Sequence, residues 1–238
     1  VGLSALAALT SGAKNLAIGY SAASSLTTGN SNIVLGYEAF DGADGGETGN
    51  IAIGQEAMSS ADEGASGTID NNIAIGGNAL YGGAMSSTNA TSGNIAIGKN
   101  ALQATSTNPQ TGTIAIGHQA LTALTSGANN TAIGYQAGLT TTTGASNVYI
   151  GHSVADDTHV DSTANVGVGN GAFGGSHTGS ASHSNIAIGN SALGVGALDG
   201  VTGAVAIGNS ALAALTSGSS NVAIGYQASQ AITSGLAN

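Results

Sequence analysis

Apolar and polar positions alternate in short bursts along this chain, and the bursts recur. Twelve times a stretch of the form Asn-aliphatic-Ala-Ile-Gly comes round, clearest at Asn50–Gly54, Asn72–Gly76, Asn94–Gly98 and Asn185–Gly189. Its terminal glycines are Gly19, Gly36, Gly54, Gly76, Gly98, Gly117, Gly134, Gly151, Gly169, Gly189, Gly208 and Gly225, separated by 17, 18, 22, 22, 19, 17, 17, 18, 20, 19 and 17 residues. Branched residues at alternate positions mark a three-residue strand with one buried face. The intervening face carries Ala in nine copies, the exceptions being Val34, Tyr149 and Gly167. A row of methyl groups on that face suits close approach by another backbone surface, here a sister subunit. The glycine ends the strand at positive φ, where a Cβ would clash.

A period near twenty residues predicts stacked coils. The expected fold is all-β with short helical turns: a parallel β-solenoid of about 12–13 coils, with equivalent residues about 4.8 Å apart. The whole of 1–238 reads as one repeat array. Asn stands four before the glycine in ten copies, with Thr113 and Ala204 as exceptions, so an amide ladder along the stack is expected. Three residues past the glycine comes Ala, replaced once by Val154, and then usually Leu, Phe or Met. In compact units Leu121 and Leu124 are three apart and Thr125-Ser126-Gly127 follows. That spacing favours a helical turn over the competing second strand. A triangular hexapeptide β-helix needs its unit every six residues, which the steps above do not keep, so that fold and its acyltransferase function are rejected.

Composition sharpens this picture. Forty glycines, two Phe, six Tyr and no Trp leave few large side chains, so the core must be thin. Lys14 and Lys99 face twelve acids, for a net charge of −10, which removes any footing for phosphate neutralisation or an anionic membrane surface. No cysteine is present, so disulfides and thiolate metal sites are out. No run of about 18 apolar residues predicts a bilayer span. Val1–Gly12 repeats Ile207–Gly218 almost residue for residue, so the chain reads as a piece of a longer fibrous protein that opens in mid-repeat.

The run Asn130-Thr131-Ala132-Ile133-Gly134-Tyr135-Gln136-Ala137 and its partner Asn221–Ala228 resemble the repeats of trimeric autotransporter adhesin heads. They resemble still more closely the repeats of bacteriophage and prophage tail-fibre proteins. The resemblance covers essentially the full chain, although its units are longer than the compact adhesin repeat. It implies a left-handed parallel β-roll, three identical chains side by side, an extracellular place on a virion or cell surface, and attachment to a receptor or glycan. A tail-fibre shaft or head is the first expectation; a bacterial adhesin head or structural filament is the alternative.

Candidate chemistry lies in the variable loops, which hold ten of the twelve acids. Asp41, Asp44 and Glu47 could offer carboxylates to Ca²⁺ but do not follow the EF-hand order, and a solvated turn is the plainer reading. The run Asp156-Asp157-Thr158-His159-Val160-Asp161 invites the same comparison, with Asp156, Asp157 and His159 as its candidates. Together with Tyr81 these are the residues expected to meet a surface. Phe40 and Phe173 occupy the Leu column and are expected to cap the stack. His118 and His152 share the column of Tyr20, Tyr37, Tyr135 and Tyr226 directly after the glycine, and are expected on the surface. His177 and His183 lack the helical spacing of zinc motifs. Gly169-x-Gly171-x-x-Gly174 matches a dinucleotide fingerprint only by chance in so glycine-rich a chain, and no Gly-x-Ser-x-Gly elbow occurs. Asn89-Ala90-Thr91 and Asn129-Asn130-Thr131 match glycosylation acceptors. An ice-binding solenoid would need a flat Thr array, whereas Thr here clusters at turns. No catalytic set, cofactor or metal is expected.

Overall fold

A computed structural model describes residues 2–59, 68–82, 90–104, 110–157, 161–176 and 179–236, except for the side chains of Thr68 and Ala90. The chain forms two compact units, Val1–Ala128 and Asn129–Asn238. Both are parallel β-solenoids, and no helix occurs among the described residues.

In the first unit the strands are β1 (Leu16–Ile18), β2 (Ile33–Leu35), β3 (Ile51–Ile53), β4 (Thr68–Asp70), β5 (Ile73–Ile75), β6 (Ala90–Ser92), β7 (Ile95–Ile97), β8 (Gln110–Thr111) and β9 (Ile114–Ile116). The Ile-Gly strands pair in the order β1-β2-β3-β5-β7-β9, and β4-β6-β8 make a second sheet in the longer coils. The second unit stacks β10 (Thr131–Ile133), β11 (Val148–Ile150), β12 (Val166–Val168), β13 (Ile186–Ile188), β14 (Val205–Ile207) and β15 (Val222–Ile224). Within each unit every pairing is parallel and keeps equivalent repeat positions side by side, most often like residue on like, as in Ile51↔Ile73, Ala52↔Ala74 and Ile53↔Ile75.

The strand faces are the reverse of the expected ones. Ala52, Ala74, Ala96, Ala187 and their equivalents are fully buried, while the flanking branched residues face outward, with Leu16 and Ile18 48% and 44% exposed. The reason is the thinness of the coil. Large residues of the opposite wall, including Leu26, Phe40, Met58, Leu80, Leu102, Leu121 and Phe173, already fill the space behind the strand. On most rungs that leaves room for only a methyl group between them and the sheet, with Val34 and Tyr149 as the larger exceptions. Three departures from the small-residue pattern meet at one point of the second unit. Tyr149 points inward, Gly167 lies beside it in register, and a Cβ on Gly167 would come within 2.7 Å of Val154 Cγ1 and 3.5 Å of Tyr149 Cδ1. The volume added by Tyr149 and Val154 is recovered by deleting a side chain in the next coil.

The strand-ending glycines behave as expected. Their φ runs from 126° to 149°, and a Cβ on Gly54 would approach the Gly76 carbonyl oxygen to 2.6 Å. Helical turns do not form after them. Glu38 and Phe40 have φ of 49° and 53°, Gln119 and Leu121 of 57° and 49°, so left-handed residues alternate with their neighbours. A helical turn would close its hydrogen bonds within one coil. The alternation instead aims the amides of the left-handed residues at the adjacent coils: Glu38 N donates to Tyr20 O and Phe40 N to Ala57 O, both at 2.9 Å. Each left-handed residue costs about 1–2 kcal/mol, offset by these bonds and by burial of the Leu-column side chain.

The amide ladder is present in both units. Asn32, Asn50, Asn72 and Asn94 each donate backbone N and Nδ2 to Oδ1 of the preceding Asn, at 2.9–3.0 Å and 3.1–3.2 Å. Each Nδ2 also reaches a carbonyl of the following coil, as Asn50 does to Ile69 at 2.6 Å. Asn147, Asn165 and Asn185 repeat the pattern above Asn130. At Thr113 the row loses its amide, and Thr113 Oγ1 is buried with no partner.

Candidate functional site

Alternation along the strand divides residues into two sets. Positions four, two and zero before the glycine's end of the strand (Asn, Ala, Gly) face the coil interior; positions three and one before it, and one after, face out. The outward set is two aliphatic columns with a polar or aromatic column alongside. In the first unit the aliphatic columns are Leu16, Ile33, Ile51, Ile73, Ile95, Ile114 and Ile18, Leu35, Ile53, Ile75, Ile97, Ile116. All twelve side chains are intermediate or exposed. The second unit repeats this with Val, Ile and the single Thr131, reaching 54% exposure at Val222 and 67% at Ile224. With six rungs and two branched side chains per rung, each unit presents a contiguous apolar patch on the order of several hundred Å², at the upper end of what single soluble chains leave open.

The adjoining column behaves as a stacked surface row. Tyr20 and Tyr37 stack with ring centroids 5.3 Å apart and planes inclined by 13°; Tyr135 and His152 stack at 5.1 Å and 11°. Asn170 Nδ2 lies 3.3 Å from His152 Nδ1, and Asn190 Nδ2 reaches Asn170 Oδ1 at 3.4 Å. Because the rings lie face to face along the stack, they turn edges rather than faces to solvent, which disfavours a sugar-stacking role. The Glu38 carboxylate beside Tyr37 hydrogen-bonds the phenol and pushes its pKa up.

The acids divide the stacking work among themselves. Ser59 Oγ donates to Asp41 Oδ1 at 2.7 Å, Thr48 N to Asp70 Oδ1 at 2.7 Å and Ser180 N to Asp199 Oδ1 at 2.6 Å, and Thr143 Oγ1 to Asp161 Oδ1. In each case the partner lies in a neighbouring coil. Burial raises the Asp41 pKa, opposed by the Ser59 bond and reinforced by Glu38 and Glu56. Glu47 is only 2% exposed; Oε1 accepts from Gly45 N at 2.9 Å and Oε2 has no partner. Asp44 is exposed. Among the described residues no three Asp, Glu or His side chains gather as a metal would require. The carboxylates of Asp41, Asp44 and Glu47 therefore do not converge.

Asp156 is half-buried and Asp157 exposed; His159, His177 and Asn89 lie outside the described residues. Tyr81 is half-buried, while Phe40 and Phe173 are fully buried in the Leu column. His183 ties two coils, its Nδ1 2.8 Å from Thr163 Oγ1. Gly169 ends a strand and Gly171 begins a turn, with no helix to receive a phosphate. Asn129 is exposed. Sequence reasoning placed the aliphatic columns inside and so missed the outward face. The available signal was Thr131, a polar residue in a column otherwise wholly aliphatic.

Comparison with family models, with curated proteins and with solved structures finds no match. Among the described residues no helix is long and apolar enough to cross a membrane.

Proposed function

We propose that this chain is a non-enzymatic, extracellular fibre module: a homotrimeric shaft or head of the tail-fibre kind, holding variable loops out toward a receptor or glycan on a surface. The observation that carries the reading is the outward aliphatic face. Two columns of half-exposed Ile, Leu and Val on every rung are costly to leave in water. A flat, repeating face is self-complementary, and cyclic association of identical chains buries it without leaving an open end. The Asn ladder and the carboxylate bonds between coils support a stiff stack, which a shaft needs. The same bonds engage Asp41, Asp70, Asp161 and Asp199, half of the described loop acids, which speaks against a cleft of free carboxylates. The loops at 41–47 and 155–157, with Tyr81, remain the segments presented to a surface.

Chemical cross-linking followed by mass measurement tests the assembly. A species of three chains at micromolar concentration is expected, and Ile53→Asp together with Ile97→Asp should reduce it to one chain. A wild-type protein that stays single at that concentration contradicts the proposal. Attachment is tested by adsorption of labelled wild-type protein to intact bacterial cells; loss of adsorption on replacing 41–47 with a Gly-Ser segment, with the assembly intact, is the expected result.

A further inference from the structure

The aliphatic face has a weakness as an interface. Its rungs repeat about every 4.8 Å, and nearly every rung carries the same kind of side chain. Sliding one copy along another by one rung would rebuild almost all of the apolar contact and lose only one rung at the end. Something must distinguish the correct register from its neighbours. Of the twenty-four outward strand positions (two in each of twelve strands), twenty-three are Ile, Leu or Val and one is Thr131. Its strand has Ala132 buried and Ile133 exposed, so Thr131 shares the outward face with Ile133. In the neighbouring strand it is aligned with Val148, and Ile133 with Ile150.

We infer that Thr131 is the register-setting residue of the face by which copies of this chain associate, a deduction that rests on the self-association proposed above. The occupant of the face is a second copy of the chain. The second unit's twelve outward side chains expose on the order of several hundred Å² per copy, close to the ~800 Å² per partner of a standard stable interface. When copies lie parallel and level, rotational symmetry brings their Thr131 side chains to one height. A hydroxyl donates one hydrogen bond and accepts others, so a ring of equivalent Thr side chains satisfies itself. A slip of one rung sets each hydroxyl against the equivalent of Val148, buried and unpaired, which is penalised. An antiparallel arrangement that overlaps all six rungs of the second unit places the hydroxyls at opposite ends of the face. A single polar residue in an apolar seam fixes register in this way in coiled coils, at some cost in stability. The β-branched shape of Thr keeps the rung compatible with strand packing.

The chain has no cysteine, so introduced thiols report cleanly. Val148→Cys and Val166→Cys face outward on adjacent rungs. The two single variants are refolded as a mixture, oxidised, and the disulfides counted by mass spectrometry. Disulfide geometry requires Cβ atoms about 3.5–4.5 Å apart, so one rung of slip is resolved. With Thr131 present, 148–148 and 166–166 links should dominate over 148–166. In the Thr131→Val background the 148–166 fraction should rise by about fivefold, equivalent to ~1 kcal/mol, with the thermal melt unchanged. Thr131→Ser, which keeps the hydroxyl, should hold the native pattern. An unchanged 148–166 fraction in Thr131→Val, with like-position links still forming, overturns the register role while leaving self-association standing. No intermolecular link in any background, with single-chain mass, overturns the association and this inference with it.

Discussion

Ala52 and Ile53 are neighbours in the chain and opposite in circumstance. Ala52 is sealed in the coil with Asn50 on one side and Gly54 on the other; Ile51, Ile53 and Gln55 look out. The inner set is defined by tolerance measured in tenths of an ångström, because coil stacks on coil and wall meets wall. The outer set is constrained by chemistry instead, its strand positions (Thr131 apart) holding aliphatic side chains, mostly β-branched, that stack on one another. The small residues therefore make the interior and the large aliphatic ones the surface, the reverse of an ordinary amphipathic strand.

This contrast predicts large effects inside and small ones outside. Gly54→Ala should be the most damaging, because φ is 134° and the new Cβ would lie 2.6 Å from a backbone oxygen that cannot step aside. We expect a loss above ~4 kcal/mol, read in urea melts. Next comes Asn72→Ala. It removes a side chain that accepts from Asn94 N and Nδ2 and donates to Asn50 Oδ1 and Thr91 O; a loss of about 2–4 kcal/mol is expected. Gly167→Ala should cost about 1–3 kcal/mol through contact with Val154. Adding Val154→Ala should recover most of it, and a double-mutant cycle showing no coupling would break the account of that trio.

Outside the coil the effects shrink. Ile97→Thr should change the melt of a dilute single chain by less than about 1 kcal/mol while weakening assembly measurably in sedimentation. Ser146→Gly should be the gentlest, neutral or stabilising by up to about 1 kcal/mol. Ser146 is exposed at φ 59°, and four of the equivalent positions in other coils, all left-handed, are Gly: Gly49, Gly93, Gly112 and Gly203. If Ser146→Gly destabilises instead, the left-handed conformation is not what that column requires.

Much of the architecture was legible from the repeat. Ten Asn at one offset announced the ladder, invariant glycine announced the strand end, and Phe40 and Phe173 were placed correctly because they occupy the Leu column. The reversal of the strand faces was not legible, and the reason is physical. Alternation says that two faces differ, and when one is Ala and the other Ile both are apolar. Which one faces inward depends on the thickness of the coil, set by buried residues of the turn that follows the strand, such as Leu80 and Leu121. The turn misled for a related reason. Leu121 and Leu124 are three apart in a helix and also in a turn of alternating hand, and only the bonds offered by adjacent coils decide between them. The loop acids read as solvated turns because a sequence does not display the Ser59, Thr48, Thr143 and Ser180 partners waiting one coil away.

Thiol labelling of two adjacent residues tests the inside-out strand most directly. Ala96→Cys and Ile97→Cys are compared in the folded protein across a dilution series. Position 96 should stay unreactive at every concentration, while position 97 should react freely when dilute and become protected as chains associate. Free reaction at 96 with protection of 97 in the dilute single chain would contradict the account.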